Sequence, residues 1–168
     1  MAKNLKPNDA ISQKMMLAFD GMDAPEEILE LLGENPWAGF TFFRPFNIDT
    51  PEQVRKLTAD LQNAAQKPED LPLLIAIDYE GGQLIAAGEL VTQFAGNMAM
   101  GAVDDEDLAE RIGKAMAIEM RALGINVNYA PICDLNTYTK NPSLGIRAFG
   151  DDAALASRMA AAMVRGMQ

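Results

Sequence analysis

Three groups of side chains in this sequence have the types and spacing to do chemistry. Asp78 and Glu80 close the stretch LLIAIDYEGG, directly before Gly81–Gly82. Asp134, Asn136 and Arg147 lie in a later polar segment, and Arg44 with Asn47 in an earlier one. An ionised carboxylate accepts hydrogen bonds and a guanidinium donates them, so such a set can grip adjacent sugar hydroxyls from both sides. The acid pair with its glycines reads two ways. Either it is a ligand site at a strand exit, or Asp78 caps a loop and the glycines make a turn. The sequence has no histidine, which excludes histidine triads and His-ligated metals within this chain. Its one cysteine, Cys133, can build neither a zinc cluster nor an intrachain disulfide. No GxGxxG or P-loop pattern supports nucleotide binding. No cofactor and no metal is expected.

The elements that must position these groups read as a β/α series. Leu73–Ile77 is an apolar run of the kind buried on both faces of a parallel sheet. Gly39–Phe43 (GFTFF) reads as the first strand, closed by Arg44–Pro45, and Ile125–Ala130 (INVNYA) as the third. Thr50–Gln66 reads as a helix with Thr50 as N-cap, Pro51 at N1 and Gln53 completing a capping box. Val54, Leu57 and Leu61 form its buried stripe, Glu52 and Lys56 pair outside, and Pro68 follows its end. Asp104–Leu123 reads as a helix capped by Asp104 and stopped by Gly124. Asp151 or Asp152 caps a last helix, with Leu155, Met159 and Met163 inward. Before the first strand, Asp9–Phe19 shows helical spacing, and Pro25 starts a second helical turn that Gly33 stops. Gly88–Gly101 reads as an irregular connection and Pro131–Gly150 as a long loop. The eleven methionines are spread over core stripes.

Strand–helix–strand–helix–strand–helix implies a parallel sheet with right-handed crossovers. The three polar groups then fall at three successive strand exits, which sit side by side at one mouth in a β/α barrel. The 168 residues carry a net charge of −10, which disfavours nucleic acid and anionic membranes as partners. The start, MAKNLKPNDA, has no signal-peptide core and no run is long enough to span a bilayer, so a cytoplasmic location is expected.

IDYEGG (77–82), GNMAMGA (96–102), ALGINVNYAPICDLN (122–136) and NPSLGIRAFG (141–150), in this order, resemble the N-terminal (β/α)8 domain of glycoside hydrolase family 3. That group includes β-N-acetylhexosaminidases and β-glucosidases. The resemblance runs from about Ile11 to the last residue. It implies an α/β fold: a partial TIM barrel of roughly the first three β/α units, preceded by helical turns. It also implies that residues 1–168 form a single incomplete family-3 N-terminal domain. The implied activity is retaining hydrolysis of terminal, non-reducing β-linked sugars, N-acetylhexosamine first, through a covalent glycosyl-enzyme. By motif, Asp78 and Arg147 are the implied sugar-binding residues. The resemblance implies that Glu80 and Asp134 are supporting residues. The other reading of Arg147 and Asp134 is a loop-locking ion pair. Trp37 and Phe46 could stack on sugar, though core packing competes.

The family's Lys-His pair, its nucleophilic aspartate and its acid/base belong to segments that follow those matched here, so no catalytic residue is assigned in this chain. Gln83 replaces an arginine frequent in the family, and Ala95 a proline. The chain alone is expected to be inactive. An incomplete barrel would expose strand edges, so self-association or a complementary barrel fragment is expected. A non-catalytic carbohydrate-binding or scaffold role is the alternative.

Overall fold

The computed structural model describes residues 7–65 and 71–168. Gln66 and Pro68, the expected helix end and the proline after it, lie outside them. The chain divides into two compact units. The first comprises residues up to Ile77 together with Ala122–Val127. The second comprises Asp78–Arg121 and Asn128–Gln168.

In the first unit, α1 (Pro7–Ser12) is followed at once by a short strand, β1 (Met16–Leu17). The helix expected over Asp9–Phe19 therefore ends early. Met16 and Leu17 pair in parallel with Gly39 and Phe40 of β2 (Gly39–Thr41). A non-local ladder overrides the local helical spacing, and GFTFF is the second strand rather than the first. Beyond it Arg44–Pro45 opens a helical turn, α3 (Arg44–Asn47). Gly33 does not stop the helix before β2. It sits inside α2 (Glu26–Glu34), which Asn35 ends.

β2 pairs in parallel with β3 (Leu74–Ile77), and the sheet order is β1-β2-β3-β6, where β6 is Val127–Asn128. Ile75, Ala76 and Ile77 are fully buried, as the apolar run requires. The strand expected over Ile125–Ala130 shrinks to two residues for a visible reason. The Asn126 amide does ladder work itself: its Oδ1 accepts from Ile75 N–H (2.8 Å) and its Nδ2 donates to the Leu73 carbonyl (2.8 Å).

The helix between β2 and β3, α4, runs Pro51–Ala64 and buries Val54, Leu57 and Leu61. Thr50 caps it by accepting from Gln53 N–H. The return bond of the box differs, because Gln53 Oε1 takes the Asp49 N–H. Lys56 pairs with Asp23 and Asp60, not Glu52, which lies near Arg55 instead.

In the second unit the chain leaves β3 through Asp78 and turns back as an antiparallel hairpin of β4 (Tyr79–Gly81) and β5 (Leu84–Ile85). Gly81 and Gly82 supply the turn with φ of 83° and 58°, a region only glycine enters without strain. The segment expected to be irregular contains α5 (Asn97–Val103). Asp104 does not cap the helix that follows. It adopts φ 51° as the residue that caps the C-terminal end of α5, and Asp105 accepts from Leu108 N–H to start α6 (Glu106–Ala122). α7 (Ala153–Met167) begins at Asp152, whose carboxylate accepts from Leu155 N–H, and buries Met159 and Met163. α6 and α7 approach backbone to backbone where Gly113 and Gly166 leave no room for a Cβ. Arg158 and Arg165 tie that contact by pairing with Asp104, Glu106 and Glu110.

Candidate functional site

Within the second unit the candidate site is built on Glu80. Its position in β4 buries it to 2% exposure, an unfavourable place for a carboxylate without a partner. Arg147 supplies that partner from the far end of the polar loop, at the end of a 3₁₀ turn (Gly145–Arg147). Nε donates to Glu80 Oε2 at 2.8 Å and Nη2 to Oε1 at 2.6 Å, a two-pronged fork that fixes the guanidinium plane. Nη1 donates to the Ser143 carbonyl at 2.8 Å. These three bonds use three of the five N–H groups of an arginine, and the other two have no hydrogen-bond partner among the described residues.

Asp78 is half-buried, two residues before Glu80. Burial raises its pKa above the usual carboxylate range, the Glu80 charge adds to that, and Arg147 opposes it. Its proton is held more tightly than on an exposed aspartate. The Glu80 bond holds Arg147 in its charged form. Burial opposes this, and the charges of Glu80, Asp78 and Asp134 reinforce it.

Asp134 is exposed and acts on the guanidinium through its charge. The loop-locking pair weighed for Arg147 does exist, but its acid is Glu80 rather than Asp134, and Glu80 is the residue that holds Arg147 directly. Asp134, Asn141, Ser143 and Arg147, with Ile132 and Leu144, line an open cavity of about 200 Å³. The Asn141 carboxamide accepts from Ser143 N–H and shapes this rim. The Asn136 side-chain oxygen is buried without a hydrogen-bond partner among the described residues.

The polar pair of the first unit has a different task. Asn47 is fully buried, accepts from Phe43 N–H and donates to the carbonyls of Phe19 and Gly21, so it staples a loop. Arg44 is exposed. Trp37 is half-buried and donates to the Leu31 carbonyl, while Phe46 is exposed and not part of the core.

Two residues were not found from the sequence. Asn128 supports β4: its Oδ1 accepts from Tyr79 N–H and its Nδ2 donates to the Tyr79 carbonyl, both at 2.9 Å. Asn97, 1% exposed, donates to the Arg147 carbonyl at 2.8 Å. Asparagine at i and i+2 in INVN was the available signal for the first. Asn97 gave none beyond its place in GNMAMGA. On the other side of β4, the Tyr79 hydroxyl lies 2.6 Å from the Thr92 carbonyl and 2.8 Å from Glu119, which also takes the Thr92 N–H. Burial, then the Glu119 bond and charge, pushes the Tyr79 phenol far above its ordinary value.

An α/β chain with a parallel sheet, and a carboxylate–arginine cluster just past the exit of β3, has the form of part of a β/α-barrel. The family model "Glycosyl hydrolase family 3 N terminal domain" matches residues 9–168, and the chain belongs to that family. It is 35% identical over 149 residues to a beta-hexosaminidase A of Pseudoalteromonas piscicida, covering 86% of this chain and 25% of that protein. It is 35% identical over 157 residues to a beta-hexosaminidase of Pseudomonas aeruginosa, covering 91% and 44%. The structure of a family 3 beta-N-acetylglucosaminidase from Paenibacillus sp. superposes with a TM-score of 0.90 at 40% identity, covering 98% of this chain and 31% of that one. NagZ from Neisseria gonorrhoeae gives 0.82 at 26% identity, covering 91% and 46%. The chain thus spans a quarter to under half of these relatives. Its fold is the α/β fold of the family's N-terminal barrel, in part.

Proposed function

We propose that residues 1–168 form part of a single family-3 N-terminal barrel domain and carry part of its sugar subsite. The protein it belongs to is a retaining glycoside hydrolase that releases terminal β-linked N-acetylhexosamine. The names of the relatives and the family match support the activity and the sugar. One observation carries the site: the buried Glu80–Arg147 fork, formed just beyond Asp78. The fork presents a fixed guanidinium with two spare N–H donors, and Asp78 supplies acceptors. Adjacent sugar hydroxyls both donate and accept, so they match that pairing. In this reading Asp78 and Arg147 touch the sugar, Glu80 holds Arg147, and Asp134 supports it through charge. The nucleophile and the acid/base are contributed from outside the matched segments, so the 168 residues bind sugar without cleaving it. Among the described residues the outer strands β1 and β6 each have one neighbour in the sheet, which supports pairing with a second copy or with the remaining barrel.

Titration of the chain with N-acetylglucosamine, observed by NMR, tests the subsite. Saturable binding that is lost in Asp78→Ala and in Arg147→Ala is the expected result. Binding that survives both changes would refute the assignment. Clear hydrolysis of an aryl β-glycoside by the purified chain, abolished by Asp78→Ala, would refute the absence of catalytic groups.

A further inference from the structure

Arg147 is held at both ends, and only one hold is explained by Glu80. Its guanidinium is fixed by the fork. Its main chain ends a one-turn 3₁₀ helix whose internal bonds are Arg147 N–H to Leu144 and Ala148 N–H to Gly145. The Arg147 carbonyl lies past those bonds and needs a donor from elsewhere. Asn97 Nδ2 provides it at 2.8 Å, across 50 residues of sequence.

Asn97 opens α5, and the helix lies flush against the arginine segment. Gly96 lies against the Ile146 carbonyl, and a Cβ on Gly101 would collide with the Phe149 carbonyl. The contacts advance together: Gly96 with Ile146, Asn97 with Arg147, Gly101 with Phe149. α5 is a seat for residues 146–149, and Asn97 is the polar pin in it.

The other half of the carboxamide sharpens the point. Asn97 is buried, and its Oδ1 has no hydrogen-bond partner among the described residues. A buried acceptor left unpaired is unfavourable, and an apolar residue of the same shape would avoid that. What leucine at this position cannot do is donate to Arg147.

We propose that Asn97 is a positioning residue for Arg147: its amide N–H fixes the Arg147 main chain so that the guanidinium meets Glu80 and presents its remaining donors to a sugar. The link to sugar rests on the subsite reading above, and the geometric part does not.

Two near-isosteric variants test it, Asn97→Leu, which removes the donor, and Asn97→Asp, which replaces it with an acceptor. The readouts are the Arg147 Nε–H resonance, assigned by its loss in Arg147→Lys, and the affinity for N-acetylglucosamine. In the wild type the Nε–H is expected downfield and slow to exchange with water, because it is bonded to a buried carboxylate. In either folded variant, with α7 amide signals unchanged, it is expected to move upfield and exchange faster. Affinity is expected to fall about tenfold, the size of one lost hydrogen bond to a buried group. A lower melting temperature with unchanged Nε–H and unchanged affinity would overturn the proposal, since that is what a purely structural asparagine gives. If the Nε–H moves but the wild-type chain binds no sugar, the positioning role stands and the sugar reading fails.

Discussion

Replacing Glu80 with glutamine isolates the interaction on which the site depends. The substituted side chain keeps the volume and one acceptor, but loses the charge and turns an amide N–H toward the arginine. Both bonds of the fork, at 2.8 Å and 2.6 Å, are charge-assisted. Such bonds contribute about 1.5–3 kcal/mol each, and removing one partner of a buried pair costs about 3–5 kcal/mol. Arg147 keeps 26% of its side chain exposed and can recover some hydration, which puts the change near the low end. The expected loss for Glu80→Gln is about 2–3 kcal/mol. With a urea m-value of roughly 2 kcal/mol/M, the midpoint moves down by about 1–1.5 M. Urea unfolding followed by circular dichroism reads this directly. A double-mutant cycle with Arg147→Met separates the pair from its surroundings, and a coupling of about 2 kcal/mol is expected. A midpoint unchanged within about 0.2 M, or a coupling below about 0.5 kcal/mol, would show that the fork does not hold the loop.

Other perturbations test neighbouring parts. Asp78 holds its proton more tightly folded than unfolded, so stability falls as pH rises from the ordinary aspartate value through the raised one, and stays lower above it. Asp78→Asn is therefore expected to raise the melting temperature at pH 7 while removing sugar binding; a lower melting temperature would contradict the burial and Glu80 effects. Tyr79 keeps its proton in the folded state well beyond 10.0, so stability falls as pH rises above that value. Tyr79→Phe should flatten this alkaline slope and cost about 1 kcal/mol at neutral pH, as read by urea unfolding at pH 7 and pH 11. Gly166→Ala would drive a methyl into the Glu110 carbonyl of α6, and a loss of about 2 kcal/mol in urea unfolding is expected, against a small gain if the helices were free to part.

Legibility followed the range of the forces involved. Thr50 and Asp152 act on N–H groups three residues away, so the Thr50 cap could be read directly and the last helix's cap narrowed to Asp151 or Asp152, of which Asp152 makes the bond. Leu73–Ile77 was legible as a strand because its run is apolar throughout, and Ile75, Ala76 and Ile77 are fully buried while Leu74 is 43% exposed. β1 was not legible, since two residues become a strand only when Gly39 and Phe40 lie alongside. Asp104 reads as the cap of α6 in the sequence because aspartate is a good cap by composition, and only the backbone shows it in the left-handed region, with Asp105 taking the capping bond.

The site divides in the same way. Residue types at a strand exit and a resemblance to family 3 single out Asp78, Glu80 and Arg147 as candidates in the sequence. Tertiary structure alone decided which acid Arg147 meets, because Glu80 is 67 residues away and Asp134 only 13. Chain distance favours Asp134. Burial favours Glu80, since a carboxylate sealed in β4 must be matched by a cation, whereas an exposed one is solvated by water. The same logic brings Asn97 to the Arg147 carbonyl, a contact that no local pattern encodes. The stretch IDYEGG therefore marks the candidate site, and the packing of α5 against the 3₁₀ turn holds Arg147 within it.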